Sequence, residues 1–152
     1  MAVLGKMPSA AWTASHISVK SGKNGTIRLR LLLDTNVILD FLKKDSSLFD
    51  LSLLLSQHEC FTSVIVKLEL LKYTDITPDE ENAVNEFLRL VPIIPLSQSI
   101  ENETIALSRS TKFKLPDAII GATAIVYGAE VVTNDSHFLE CQYEKLKVWN
   151  VS

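Results

Sequence analysis

The sequence predicts a three-layer α/β/α fold, in which helices cover both faces of a central, mainly parallel sheet of about five strands. Short runs of Leu, Val and Ile alternate along the chain with stretches of helical periodicity. Strands that are apolar almost throughout are typical of a parallel sheet buried on both faces. The chain has 152 residues, which is enough for one compact domain and too few for two ordinary ones.

The predicted strands are short apolar runs bounded by turn residues. They span residues 27–33, 59–62, 91–96, 130–133 and 146–149. Apolar positions that recur at helical spacing predict the first three helices. These helices span residues 37–43, 47–57 and 63–73.

Three further helices are predicted from their ends. Thr77 and Glu80 have the spacing of a capping box, with the helix running on behind them. Ser97 can cap the next helix. Pro116 opens an apolar helix that ends just before Gly128, which is placed as the C-cap.

Residues 1–27 differ in composition from the rest of the chain. They are rich in Ser, Gly, Ala and Lys, lack hydrophobic periodicity, and contain no Asp or Glu. We interpret them as an N-terminal extension, flexible or tag-like, with a nucleic-acid-binding arm as the other interpretation. The domain is expected to occupy residues 28–152.

The composition, 47% hydrophobic and 22% charged, is that of a globular chain. No apolar run reaches the roughly 20 residues of a membrane span, and no secretory signal is recognisable, so we expect a cytoplasmic protein with no membrane contact. Cys60 and Cys141 are interpreted as buried reduced thiols. His16, His58 and His137 are widely separated, which predicts no histidine-based metal cluster and leaves oxygen ligands for any metal.

Four acids stand out because ligands of such a sheet bind at the carboxyl ends of its strands. Asp34 ends the first predicted strand, and Asp135 follows the fourth. Asp117 lies in the first turn of the helix that Pro116 opens, and Glu69 lies within the third helix. Each could separately be a cap, a turn residue or a surface charge. Three of the four, however, fall at the same edge of the predicted sheet.

Carboxylates crowded at one edge repel one another, and a hard divalent cation removes that repulsion. A site of acids alone favours Mg²⁺ or Mn²⁺ over zinc. Such an ion lowers the pKa of a bound water and neutralises charge on a phosphoryl group, so the predicted chemistry is phosphoester hydrolysis. The sequence contains no nucleophile elbow, P-loop or dinucleotide-binding glycine pattern that would indicate other chemistry.

The segments around these acids resemble the PIN domain over about residues 28–150. The matching segments are Leu-Leu-Leu-Asp34-Thr35-Asn36, the helix with Glu69, Leu-Pro-Asp117-Ala, and Val-Val-Thr133-Asn134-Asp135-Ser-His-Phe. The compact length is similar to that of VapC-type toxins of type II toxin–antitoxin pairs. Such toxins begin almost at their first strand, so the N-terminal extension departs from the pattern.

The resemblance implies a Mg²⁺- or Mn²⁺-dependent endoribonuclease in which the four acids form the catalytic, metal-binding pocket. Asn36 and Thr133 would hold the carboxylates in place, because unsupported ligands turn away from a metal. The resemblance also implies RNA as substrate, a cognate antitoxin protein as partner, and a homodimer. Asp40 and His137 each have two interpretations, as surface residues or as members of the site.

A net charge of −3 gives the chain no general attraction for RNA, so any contacts must be local. Arg109, Lys112 and Lys114 form the most suggestive cluster, just before Asp117. A solvated helix face explains these cations almost as well.

Three alternative functions are compatible with parts of the pattern. A PIN nuclease outside a toxin–antitoxin pair could process RNA, and a non-catalytic PIN-fold module could bind a protein in the same groove. A phosphatase of the haloacid dehalogenase type also starts with a strand-ending Asp. It requires a second acid two positions later, where this chain has Asn36.

Overall fold

The computed structural model describes residues 20–21, 27–43 and 51–151. Its strands are β1 (Lys20–Ser21), β2 (Ile27–Arg28), β3 (Arg30–Leu33), β4 (Glu59–Ser63), β5 (Ile93–Ile94), β6 (Glu130–Thr133) and β7 (Lys147–Asn150). The last five form one sheet in the order β5-β4-β3-β6-β7, and every pair in it is parallel. The predicted α/β fold with a five-stranded central sheet is confirmed.

Helices connect the strands of this sheet. They are α1 (Thr35–Lys43), α2 (Leu51–Gln57), α3 (Val64–Leu71), α4 (Pro78–Leu88), α5 (Gln98–Ser110), α6 (Leu115–Val126) and α7 (Ser136–Leu139). Six of them were predicted to within a few residues, although the predicted start of α2 lies outside the described residues. Within the described ranges, no helix is both long and apolar enough to cross a membrane.

Strand β3 lies in the middle of the sheet and sets the position of the site. Its residues Leu31, Leu32 and Leu33 are 0% exposed, as expected for a strand covered on both faces. Leu33 pairs in register with Val132 of β6, so these two strands end at the same level. Side chains that follow β3 and β6 are therefore close neighbours.

Two predicted strands are shorter than expected. The run over residues 27–33 is interrupted at Leu29, whose backbone N–H donates to Nδ1 of His58 at 3.1 Å instead of continuing the ladder. Burial lowers the pKa of His58, which keeps its ring neutral and able to accept this bond. The run over residues 91–96 is reduced to β5, because Pro92 and Pro95 have no N–H to donate to a neighbouring strand.

The helix ends that were predicted from capping residues are confirmed to within one residue. Thr77 Oγ1 accepts from the Glu80 backbone N–H at 3.1 Å, and the Thr77 N–H donates to Glu80 Oε1 at 3.0 Å. Gly128 has φ +64°, a conformation that side chains with a Cβ disfavour. The Ala129 N–H beyond it donates to the Ala124 carbonyl at 2.8 Å, which closes the end of α6.

The Thr77→Ala variant tests the energetic weight of this capping box. We expect the free energy of unfolding to fall by about 1 kcal/mol, because the start of α4 loses a side-chain acceptor for its unpaired N–H groups. Urea denaturation followed by circular dichroism measures the change. Thr74→Ala, in the exposed turn nearby, is the matched control, with an expected change below about 0.5 kcal/mol. Equal effects of the two substitutions would contradict the capping role.

Both cysteines are free thiols. Cys60 lies buried in β4, as predicted, and burial raises its pKa. Cys141 is only half-buried, so the prediction of burial is wrong for this residue. It follows α7 at the protein surface rather than lying in a strand.

Candidate metal centre

The carboxyl ends of β3 and β6 meet at one edge of the sheet, and the predicted acids lie there. Asp34 follows β3 directly, and its backbone N–H donates to the Val132 carbonyl at 3.1 Å. Asp135 lies two residues beyond β6 and is the N-cap of α7. Asp117 comes from the first turn of α6, and Glu69 comes from α3.

Asp34 is the most deeply buried of these four acids, with 4% of its surface exposed. Its Oδ1 accepts a hydrogen bond from the Thr35 backbone N–H at 2.7 Å. Its Oδ2 accepts from Thr133 Oγ1 at 2.8 Å and from Asn36 Nδ2 at 3.3 Å. Three donors therefore fix the orientation of this carboxylate, and they partly replace the water that burial has removed.

Asn36 and Thr133 join the start of α1 to the segment that follows β6. Asn36 Nδ2 donates to Thr133 Oγ1 at 3.2 Å, and the Asn134 backbone N–H donates to Asn36 Oδ1 at 3.3 Å. Thr133 Oγ1 also accepts from the Asp135 N–H at 2.9 Å. The two side chains predicted to support the acids thus contact the Asp34 carboxylate and the backbone beside Asp135.

Asp40 lies at the outer side of this network. Its Oδ2 accepts from the side-chain amide of the exposed Asn134 at 3.2 Å. This hydrogen bond joins the segment after β6 to α1. Asp40 lies one helical turn beyond Asn36 in that helix.

Glu69 is held by a residue to which the sequence analysis gave no role. Its Oε1 accepts from Thr35 Oγ1 at 2.8 Å. Thr35 therefore contacts two acids, because its backbone N–H bonds Asp34 and its hydroxyl bonds Glu69. The motif that contains Thr35 was visible in the sequence, but the packing of α3 beside α1 was not.

Asp117, Asp135 and His137 form a group of potential metal ligands in the described part of the chain. One ligand atom from each lies within 4.8 Å of the other two. His137 donates its backbone N–H to Asp135 Oδ1 at 2.8 Å, and its Nδ1 lies 3.1 Å from the same oxygen. The short helix α7, which was not predicted, places His137 beside these acids, so one histidine adds a potential ligand to a site whose other ligand atoms are carboxylate oxygens.

The acids lie in one another's electrostatic field. Burial raises the pKa of Asp34 to about 6, although the hydrogen bond from Thr133 acts to lower it. The negative charges of Asp117 and Glu69 raise this pKa further. Burial is also the largest cause that raises the pKa of Asp117, and repulsion from Asp135 and Glu69 raises it further. Carboxylates that disfavour one another's charge are the ligands that a hard divalent cation stabilises. These residues therefore fit Mg²⁺ or Mn²⁺.

The three cations predicted to contact RNA are exposed and lie near the start of α6. Arg109 is in the last turn of α5, and Lys114 is the N-cap residue of α6. The charge of Lys114 lowers the pKa of Asp117, although burial outweighs it. Lys112 lines a cavity of about 640 Å³ that His137 also lines.

Comparison with known proteins gives a consistent result. The sequence profile of the PIN domain matches residues 31–142. No curated protein matches the chain at a significant level. A solved toxin–antitoxin complex from Klebsiella pneumoniae contains a chain that is 25% identical, with a TM-score of 0.59, over 80% of this chain and 99% of that one.

Two other solved structures resemble the fold at lower identity. VapBC2 from Rickettsia felis, bound to a DNA fragment from its promoter, has 21% identity and a TM-score of 0.70 over 82% of this chain and 100% of that one. VapBC-1 from nontypeable Haemophilus influenzae has 17% identity and a TM-score of 0.67 over 80% of this chain and 98% of that one. These two likenesses support the fold alone.

Proposed function

Because the chain belongs to the PIN domain family, we propose that it is a divalent-metal-dependent endoribonuclease that hydrolyses phosphodiester bonds in RNA. The family consists of nucleases, which supports hydrolysis of a nucleic acid. The observation that carries the proposal is the convergence of four carboxylates at the edge of the sheet, where burial, together with repulsion between the acids, raises the pKa of Asp34 and Asp117. A site that keeps this charge together is suited to hold cations beside a phosphate.

The residues that would hold Mg²⁺ or Mn²⁺ are Asp34, Glu69, Asp117 and Asp135. A bound ion there supplies a water of lowered pKa and neutralises charge on the phosphoryl and leaving oxygens. The protein contributes orientation: donors from three residues keep the Asp34 carboxylate from turning, and Thr35 Oγ1 does the same for Glu69. Fixed carboxylates do not have to reorganise when a substrate arrives.

His137 is placed to move a proton at the entrance of the site. Its side chain is 74% exposed, and its Nδ1 lies 3.1 Å from Asp135 Oδ1. When Nδ1–H donates to that carboxylate, Nε2 is the free ring nitrogen. In the protonated ring, Nε2–H can then donate its proton to the leaving oxygen of the RNA.

Cleavage is expected to require added metal. The purified chain, free of any partner, is incubated with fluorescently labelled RNA in EDTA, and then with excess Mg²⁺ or Mn²⁺. We expect cleavage only after metal is added, because the carboxylates alone repel phosphate. A metal-independent ribonuclease serves as control, since it continues to cut in EDTA. Cleavage that persists in EDTA, or cleavage of DNA in place of RNA, would contradict the proposal.

The biological role that we propose is that of a toxin held inactive by a cognate antitoxin protein in the cytoplasm. The similar chain of the Klebsiella pneumoniae toxin–antitoxin complex supports this role. A groove of about 390 Å³ between α1, α3 and α4 offers the partner a binding surface. Its lining is partly apolar, with Leu39, Leu42, Leu70, Tyr73 and Val84, and partly charged, with Lys43, Asp75 and Glu80. We also expect the free chain to be a homodimer, which light scattering after size exclusion would measure.

Co-expression with the product of a neighbouring gene tests the partner. We expect the two proteins to purify together and RNA cleavage to be suppressed. Leu39→Asp should weaken the complex, because a charge replaces apolar surface in the groove, and should leave cleavage by the free chain intact. A chain that cleaves RNA but binds no neighbouring gene product would instead favour the RNA-processing alternative.

Thr133→Val tests the support of the acids. The substitution keeps the shape of a fully buried side chain and removes the hydroxyl that bonds Asp34 and the Asp135 backbone. We expect metal affinity, measured by calorimetry, and cleavage rate each to fall about 10- to 100-fold. Thr123→Val is the matched control, because its hydroxyl bonds only the Ile119 carbonyl within α6 at 2.7 Å. Comparable losses in both variants would point to a general folding defect.

A further inference from the structure

A cavity adjoins the acidic site on the side of α7. Its volume is about 640 Å³, and residues 110–113 and 140–144 form most of its lining. His137 also lines it, and the same residue belongs to the ligand group with Asp117 and Asp135. The cavity therefore adjoins the candidate metal centre at His137. Its volume lies within the usual range for small-molecule sites, about 300–1,000 Å³.

We propose that this cavity receives one nucleotide of single-stranded RNA, adjacent to the phosphate that is cut. The base would lie against Phe113 and Tyr143, and its phosphate would face Lys112. The inference rests on the proposed ribonuclease function and adds to it a determinant of which RNA sequences are cut.

The aromatic part of the lining is already held in position. Phe113 packs against the fully buried Phe138, with ring centroids 4.8 Å apart. The Tyr143 hydroxyl donates to Glu103 Oε2 at 3.4 Å. Aromatic rings stack on any nucleobase, and rings that are fixed beforehand lose little conformational entropy when they do so. Both rings are half-buried, so each retains some exposed surface.

The polar residues of the lining carry opposite charges, so they would contact different parts of the nucleotide. Glu140, Glu144 and Gln142 line the cavity together with the exposed Lys112. The carboxylates repel a phosphate, but they accept hydrogen bonds from base amino groups, whereas the lysine attracts the phosphate. Cytosine carries an amino group where uracil carries a carbonyl. We therefore expect cytosine to be preferred over uracil.

Cytidine and uridine monophosphate are suitable probes, because neither contains a bond that the enzyme could cut. Titration into ¹⁵N-labelled full chain with Mg²⁺ should shift the amide signals of residues 110–113 and 140–144, with the lower Kd for cytidine monophosphate. Tyr143→Leu should raise that Kd about tenfold through loss of stacking. Lys112→Ala should reduce the salt dependence of binding, because one phosphate contact is lost.

Two variants separate the proposed role from a structural one. Tyr143→Phe keeps the ring, removes the bond to Glu103, and should bind cytidine monophosphate as the wild type does. Tyr127→Leu changes another half-buried tyrosine, at the far end of α6, and should also bind normally. If Tyr143→Leu is unfolded, the exposed Lys112→Ala decides the question. Wild-type affinity in Tyr143→Leu, or unchanged salt dependence in Lys112→Ala, would overturn the inference.

The same measurements distinguish failure of the inference from failure of the proposed function. A wild-type chain that cleaves RNA but shows signal shifts away from the cavity overturns only the inference. A chain that binds cytidine monophosphate in the cavity but cleaves no RNA supports the cavity assignment and overturns the ribonuclease. Protection of the cavity by a partner protein, with no shift from either nucleotide, would overturn the inference in favour of a protein-binding surface.

Discussion

Asp34→Asn and Asp117→Asn are each expected to lower the rate of RNA cleavage by about 100- to 1,000-fold, as a loss of several kcal/mol of charge stabilisation implies. Asparagine keeps the size of the side chain and removes the negative charge that would hold the metal. Single-turnover cleavage of labelled RNA at saturating Mg²⁺ measures the rate. Metal titration of the same variants shows whether the lost rate follows lost metal affinity.

Two further carboxylates are controls for these substitutions. Asp79→Asn, on the exposed first turn of α4, should cleave at the wild-type rate. Asp40→Asn should lose less than about tenfold, because Asp40 fastens Asn134 to α1 and is one step removed from the acids. Wild-type cleavage by Asp34→Asn and Asp117→Asn would show that the acidic pocket is not the active site.

The same Asp34→Asn substitution is expected to stabilise the metal-free protein at neutral pH. Burial raises the pKa of Asp34 from its ordinary 3.8 to about 6, so the folded state binds a proton more tightly than the unfolded state. Stability contributed by this group therefore decreases as the pH rises from about 4 through 6, and the full cost of about 3 kcal/mol applies above that range. Asparagine avoids this cost, but it loses about 1 kcal/mol of hydrogen bonding.

We therefore expect metal-free Asp34→Asn to exceed the wild type by about 2 kcal/mol in free energy of unfolding at pH 7.5, and the difference to shrink toward pH 4. Urea denaturation in EDTA at several pH values measures it. Added Mn²⁺ should raise the stability of the wild type more than that of the variant, because binding to the folded state shifts the equilibrium. A variant less stable than the wild type at pH 7.5 would contradict the burial of an unneutralised charge.

Hydrophobic patterning and turn chemistry were sufficient to predict most of the fold. The apolar runs of β3 and β6 and the capping box at Thr77 are local signals, and all are found in the structure. The predictions that were wrong depend on contacts between residues that are distant in the sequence. His58 interrupts the first strand by taking the N–H of Leu29, a neighbour that no local pattern around residue 29 reveals.

The residues of the candidate site also fall into two groups, those that could be predicted from local sequence and those that could not. Asp34 and Asp135 could be predicted from their position at the ends of adjacent strands, whereas Glu69 was predicted from the order of acids in a known family. Thr35 was not predicted, because its hydroxyl in α1 bonds Glu69 in α3, and the sequence does not show that these two helices lie side by side. The proximity of His137 depends on a single helical turn, α7, which is too short to produce a recognisable periodicity.

The residues of the site are far apart in the sequence, and this distance determines when the site can form during synthesis of the chain. Thr133 bonds Asp34 from a position 99 residues further along the chain. A nascent chain that ends before β6 lacks this bond and lacks one of the two strands that flank β3. Pairing between such distant segments is a slow part of folding. Translation must therefore pass the fourth strand of the main sheet before the acidic site can be complete.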